Sequence, residues 1–205
     1  MIKSKTNTIY VLILKKVIYL QKIGDVDDIV LKKLKKNLNS FFKEFIDSVE
    51  ISPDSIPLKV SEYSPSKRQY NGSLTVRRLY KYCNERKHFR TLGIIDKDIF
   101  SGEFKFIFGN AIIPKKQDLN SPGASLIQIK RLKEGFYNRP ENKAQFELRV
   151  LKEAIHELGH TFCLEHCNNK CVMQFSNSLL EADEKPAKFC LSCSKKLKDL
   201  FGNLD

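Results

Sequence analysis

Seven possible metal ligands at fixed spacings within residues 156–193 constrain this chain more than any other feature. His156-Glu157-Leu158-Gly159-His160 has the form H-E-x-x-H, and His166 follows six residues after His160. Cys167 comes next, then Cys171, Cys190 and Cys193, giving C-x3-C and C-x2-C pairs separated by 18 residues. Three of the chain's four histidines and five of its six cysteines fall in this stretch. Four residues advance a helix by little more than one turn, so His156 and His160 project from one face and can share an ion. Ala144, Leu148, Leu151, Ile155, Leu158 and Phe162 recur at helical spacing around them, which predicts a long, well-buried helix.

The donor types indicate the chemistry. Neutral imidazole suits zinc, at Zn–N distances of roughly 2.0–2.1 Å. Three histidines, His156, His160 and His166, leave a fourth position for water, which is the open arrangement of a catalytic site. Glu157 is placed to reach a zinc-bound water, take its proton as attack begins and return it to a leaving amine. A purely structural histidine site has no need of that carboxylate. Four thiolates, Cys167, Cys171, Cys190 and Cys193, fill a tetrahedral shell and predict a closed structural site. The alternatives for them are buried thiols, or disulfides in an oxidising compartment. The expectation is two zinc ions per chain, one catalytic and one structural.

The 205 residues suit one large domain or a domain with a small appendage. Hydrophobic residues at 41% and charged residues at 29% argue against wholesale disorder. The longest apolar run, Ile9 to Leu14, stops at Lys15 and Lys16, well short of the ~20 residues of a membrane span. It also lacks the form of a secretory signal, so a cytoplasmic protein is expected. The net charge of +12 comes from lysines spread along the chain. Solvated surface explains them, and a nucleic-acid or acidic partner is the competing explanation.

Strands and helices alternate before residue 163, which implies a sheet with helices packed on it. Strands are expected at Ile9–Ile18, Leu58–Val60, Leu92–Ile95, Phe104–Phe108 (extended by Ala111–Pro114) and Ala124–Ile129. Helical spacing runs from Val26 to Val49 and from Leu74 to Cys83, and Tyr63–Asn71 reads as a loop. Asn138-Arg139-Pro140 looks like the start of the long helix. After residue 163 the sequence becomes short-ranged and Cys-rich. This divides the chain into an upper α/β part, 1–163, and a small lower part, 164–205.

The segment from His156 to Cys193 resembles the signature of the archaemetzincins, a branch of the metzincin zinc peptidases. It combines the long histidine motif, four cysteines, Cys171-Val172-Met173 and a closing C-x-x-C. The resemblance implies an α/β (α+β) fold. Its parts are a twisted, mixed five-stranded sheet, a backing helix, an active-site helix and a small zinc-stapled C-terminal subdomain. It assigns His156, His160 and His166 to catalytic zinc, Glu157 to the base and the four cysteines to a second zinc. It also makes Met173 the Met-turn residue beneath the site. The chain departs from the pattern in having Cys163 for a Gly, C-x3-C for four intervening residues, and 16 residues for 17 between Met173 and Cys190. Cys163 would bear the strain of a left-handed backbone, or the turn must differ; if the helix continues instead, it would lie on the ligand face. Metzincins bind an extended peptide along an edge strand, a role open to Phe104–Asn110. Tyr137 is an oxyanion candidate by proximity alone.

The expected function is a zinc-dependent peptidase acting on peptides or small proteins with water as nucleophile. No membrane or nucleic-acid partner and a monomeric state are expected. The competing reading is a non-catalytic zinc-binding module that contacts nucleic acid or acidic partners through its basic surface.

Overall fold

The computed structural model describes residues 15–114 and 119–202. Strand β1 (Val17–Ile23) is apolar enough to be buried on both faces, although Gln21 and Lys22 interrupt its pattern. The strand expected at Ile9–Ile18 lies largely outside the described residues. Helix α1 (Asp28–Phe42) starts where the Asp27 side chain accepts from the backbone N–H of Ile29. It buries Leu31, Leu34, Leu38 and Phe42 at spacings of three and four. The helical pattern expected through Val49 ends sooner, because Val49 belongs to β2 (Ser48–Ile51), a parallel neighbour of β1.

Leu58–Val60 forms no strand. The loop expected at Tyr63–Asn71 contains two short strands, β3 (Tyr63–Ser64) and β4 (Gln69–Asn71). Helix α2 (Gly72–Glu85) is capped by Asn71, whose side chain accepts from Leu74. Strand β5 (Arg90–Ile95) is buried throughout, and β6 (Ile99–Phe100) joins β3 and β4 in a small second sheet. The expected strand at Phe104–Phe108 is instead irregular chain, and the edge strand is β7 (Gly109–Ile112). Alternating phenylalanines mimicked a strand there. In fact Phe106 and Phe108 pack edge-to-face, and Phe104 makes only one isolated bridge, to Ser101.

Strand β8 (Gly123–Gln128) completes a mixed five-stranded sheet of order β2-β1-β5-β8-β7. Only the β7–β8 pairing is antiparallel. One face meets α2 through Val76, Leu79, Ile95 and Leu126. The other meets α1 and the long helix α3 (Lys143–Thr161) through Leu92, Ile94, Ile127, Ala154 and Leu158. Asn142 caps α3 by accepting from Gln145, so the helix begins after Pro140, and Asn138 turns in a left-handed conformation before it.

Past residue 163 come α4 (Leu179–Glu184) and α5 (Leu191–Gly202). This part contributes directly to the core. Val172, Met173, Leu179, Ala182, Leu197 and Phe201 all join the core cluster that holds α3. The Phe162 ring lies 5.4 Å from Phe201 and 5.5 Å from Phe42, so upper and lower parts share a core. Among the described residues no helix is long and apolar enough to cross a membrane.

Polar groups fasten α4 to α3 as well. The Asp183 carboxylate accepts from Arg149 Nε and Nη2 at 2.7 and 2.6 Å and from Gln145 Nε2 at 2.7 Å. Lys152 Nζ donates to the carbonyls of Ala182 and Asp183. Partial burial raises the Asp183 pKa, but the Arg149 and Gln145 hydrogen bonds outweigh it and the net shift is downward. A lowered carboxylate stabilises the fold above its ordinary range and loses that contribution as pH falls through its folded value. Asp183→Asn should therefore cost about 2 kcal/mol at neutral pH, or roughly 4–8 °C in Tm for a chain this size. The difference from wild type should shrink steadily below about pH 4, as read by thermal melts across pH.

Candidate active site and cysteine cluster

On α3, Glu153, His156, Glu157 and His160 recur at helical spacing and share one face. His156 Nδ1 donates to the Val172 carbonyl at 2.9 Å, and His160 Nδ1 donates to the Leu164 carbonyl at 2.8 Å. With both Nδ1 protons so engaged, the two Nε2 lone pairs face each other 3.1 Å apart. That geometry fits a shared cation and would otherwise be repulsive.

The helix then ends in a Schellman turn. Leu164 N–H bonds to Gly159 O and Cys163 N–H to His160 O, both at 3.0 Å. Cys163 sits at the left-handed position with φ 60°, a conformation that costs a non-glycine residue roughly 1–2 kcal/mol. The turn expected for Gly is thus kept with Cys in place. With this turn the Cys163 sulfur belongs to neither donor cluster.

His166 arrives beyond this turn, its ring centroid 4.9 Å from His160 and 5.3 Å from His156. One ligand atom from each of the three histidines lies within 4.8 Å of the others. Burial lowers the pKa of all three, with the nearby Lys185 ammonium adding to it, and His160 falls to about 4. At neutral pH the imidazoles are therefore uncharged, the state that ligates a metal.

The four cysteine sulfurs form a second group within the same 4.8 Å limit. Cys167 Sγ and Cys190 Sγ are 3.7 Å apart. The Cys190 thiol is lowered to about 6, chiefly by the Cys193 backbone N–H, whereas burial raises Cys171 and Cys193. Four sulfurs this close, two of them resisting ionisation, suit a soft dication that would compensate their charge.

The two clusters are joined through Cys171-Val172-Met173. Cys171 Sγ accepts from the backbone N–H groups of Met173 and Cys190. Val172 O orients His156, and Met173 O accepts from the N–H of Cys167, the residue after His166. The fully buried Met173 lies directly beneath Gly159, where an added Cβ would stand 2.5 Å from its sulfur.

Glu157 is buried against the edge strand. A Cβ on Gly109 would stand 2.4 Å from Glu157 Oε1 and 2.5 Å from its Cδ and Cγ, so this close approach requires glycine. Burial pushes the Glu157 carboxyl well above its ordinary range, Glu153 pushes it further, and Lys185 opposes both. A cleft of about 360 Å³ opens over these groups, bordered by Phe104–Ala111 on one side and by His166, Phe175 and Lys185 on the other. Tyr137, the oxyanion candidate, is not among its lining residues, and its hydroxyl donates to the Arg131 carbonyl.

Sequence reasoning missed Gly109, Glu153, Phe175 and Lys185. Only Glu153, one turn before Glu157 on the same face, had a readable signal. Phe175 stacks edge-on against His166 at 5.0 Å and approaches Phe104 at 6.3 Å.

The family model described as Peptidase family M54 matches residues 30–199. An archaemetzincin of Methanocaldococcus jannaschii is 39% identical over 183 residues, covering 89% of this chain and 93% of the relative. One from Pyrococcus furiosus is 36% identical over 185 residues, covering 88% and 91%. The crystal structure of the Archaeoglobus fulgidus archaemetzincin, complexed with malonate, superimposes with TM-score 0.72 at 31% identity, covering 88% of this chain and 99% of that one. A structure of a zinc-dependent peptidase from Methanocorpusculum labreanum has TM-score 0.75 and the same coverage. Its 22% identity speaks for the fold alone.

Two outcomes are expected. Gly109→Ala should displace the Glu157 carboxylate and lower peptidase turnover by about 10²-fold, the scale of losing a positioned general base. Circular dichroism and metal content should stay at wild-type values. Replacing Cys190 and Cys193 with Ser should weaken zinc at the histidine site by about tenfold without touching its ligands, as read by competition with a chelator.

Proposed function

The chain belongs to peptidase family M54, and from that premise we propose how this zinc metallopeptidase hydrolyses peptide bonds. His156, His160 and His166 would hold the catalytic zinc. Cys167, Cys171, Cys190 and Cys193 would hold a second, structural one, making two per chain. The lower part, 164–205, would then act as a zinc-stapled clamp that sets His166 and the Met173 turn. When bound, catalytic zinc supplies a Lewis acid that polarises the scissile carbonyl and acidifies water.

The remaining work falls to the protein. Glu157 takes a proton from the attacking water at a carboxylate oxygen as the new C–O bond forms. It delivers that proton to the amide nitrogen as the C–N bond breaks. Its raised proton affinity and its burial out of bulk water suit a group that holds a proton between the two transfers. The substrate lies extended along β7, whose outer edge has no strand partner among the described residues. Pairing with that backbone would align a peptide with little regard to its sequence.

The observation that carries this reading is the join of Glu157 to the cleft. It lines the same cleft as His156, His160 and His166, and its carboxylate lies against Gly109 of the edge strand. Glu157→Ala should keep both metals and the fold and lower hydrolysis by at least 10²–10⁴-fold. A peptide-library digest beside metal analysis tests this, and wild-type activity in that variant would remove Glu157 from the role.

A further inference from the structure

Lys185 has no part in the chemistry above, yet it lines the cleft beside His156, Glu157 and Glu153. Its side chain is 1% exposed and that of Glu153 4%, with Nζ 2.8 Å from Glu153 Oε1. An ammonium carries three N–H donors. Among the described residues this one has a single polar partner, the Glu153 carboxylate. Buried donors in folded proteins are nearly always matched with acceptors, so the unmatched N–H groups at the cleft wall ask for an acceptor from outside the chain.

Resting on the peptidase reading, we propose that Lys185 is a specificity residue that binds a carboxylate of the substrate, either an acidic side chain near the scissile bond or the free C-terminus of a short peptide. The location supports this. Glu153 is one turn before Glu157 on α3, so the ion pair adjoins the catalytic groups. Other charges in the cleft favour an anion. Glu153 is paired with Lys185, and Lys105 adds a positive charge at the rim. Glu157 is the one carboxyl there without a cationic partner. Phe104 and Phe175 add an aromatic surface to the same cleft. The cleft therefore offers an amphipathic peptide both a charged contact and an apolar one.

The test uses the full, zinc-loaded chain carrying Glu157→Gln, so that binding is read without turnover. Three probes are compared by calorimetry. The first is a set of N-acetylated, C-amidated hexapeptides with Glu scanned through each position. The second is the same set with Gln, and the third is the neutral peptide with a free C-terminal carboxylate. We expect Glu at one position, or the free C-terminus, to bind about tenfold tighter or more than its neutral counterpart, as a charge-assisted hydrogen bond gives. Which of the two does so identifies the source of the carboxylate. Adding Lys185→Met with Glu153→Gln removes both charges together, so neither is left buried and alone. That variant should bind all probes equally, with zinc content unchanged.

Equal binding of charged and neutral probes in the Lys185 protein would overturn the proposal. That comparison needs no change at the ion pair, so it decides even if the double variant fails to fold. A preference that survives in a folded double variant would overturn it too, as would tighter binding of a lysine-bearing peptide. Hydrolysis by the wild-type chain is measured in parallel. Hydrolysis with no carboxylate preference sinks this inference alone, and carboxylate preference without hydrolysis sinks the catalytic reading alone.

Discussion

The hydrogen bond from His156 to the Val172 carbonyl, 2.9 Å long and fully buried, is the contact on which the arrangement of the site depends. It sets the tautomer and ring plane of one imidazole and ties α3 to the segment that follows the cysteines. Two backbone N–H groups hold Cys171 next door, and Met173 is wedged under Gly159. A histidine on a helix can choose among rotamers. These contacts leave one choice, with Nε2 turned to the cleft, and the same segment holds Cys167 and therefore limits where His166 can go. Second-sphere contacts of this kind decide how rigidly a donor set is presented to its metal.

A buried network of opposite charges holds the same two parts together. Arg149, Lys152 and Glu153 on α3 meet Asp183, the carbonyls of Ala182 and Asp183, and Lys185. Buried ion pairs add little net stability compared with apolar packing, but breaking one leaves an expensive lone charge. Their effect is therefore on register, since α4 cannot slide along α3 without stranding several charges at once. The apolar core, which runs from Phe42 through Phe162 to Phe201, supplies the adhesion that the network orients.

What could be read before the fold was known followed from local geometry. The helix through His156 and His160, its termination near residue 162 and the strained role of Cys163 all depend on neighbours within a few residues. Where the sequence misled, the clearest cases have a physical reason. Val49 fits a helical stripe and a strand equally well, and pairing with β1 decided between them. Phe104, Phe106 and Phe108 alternate like a strand, but their rings serve a loop and the cleft rim. Tyr63–Asn71 reads as a polar loop, but pairing within it and with Ile99–Phe100 makes two short strands of it.

Residue types and spacing were enough to give the donor groups, the carboxylate between two histidines and the turn that follows, because a helix maps spacing onto direction with almost no help from the rest of the chain. Which groups surround Glu157 depended on packing between distant segments. Gly109 lies 48 residues before Glu157, and Lys185 lies 28 after it. The close approach of one and the half-spent ammonium of the other exist because β7 edges the sheet over α3 and α4 is clamped beneath it. No local pattern encodes a contact whose two halves meet only when separate elements pack.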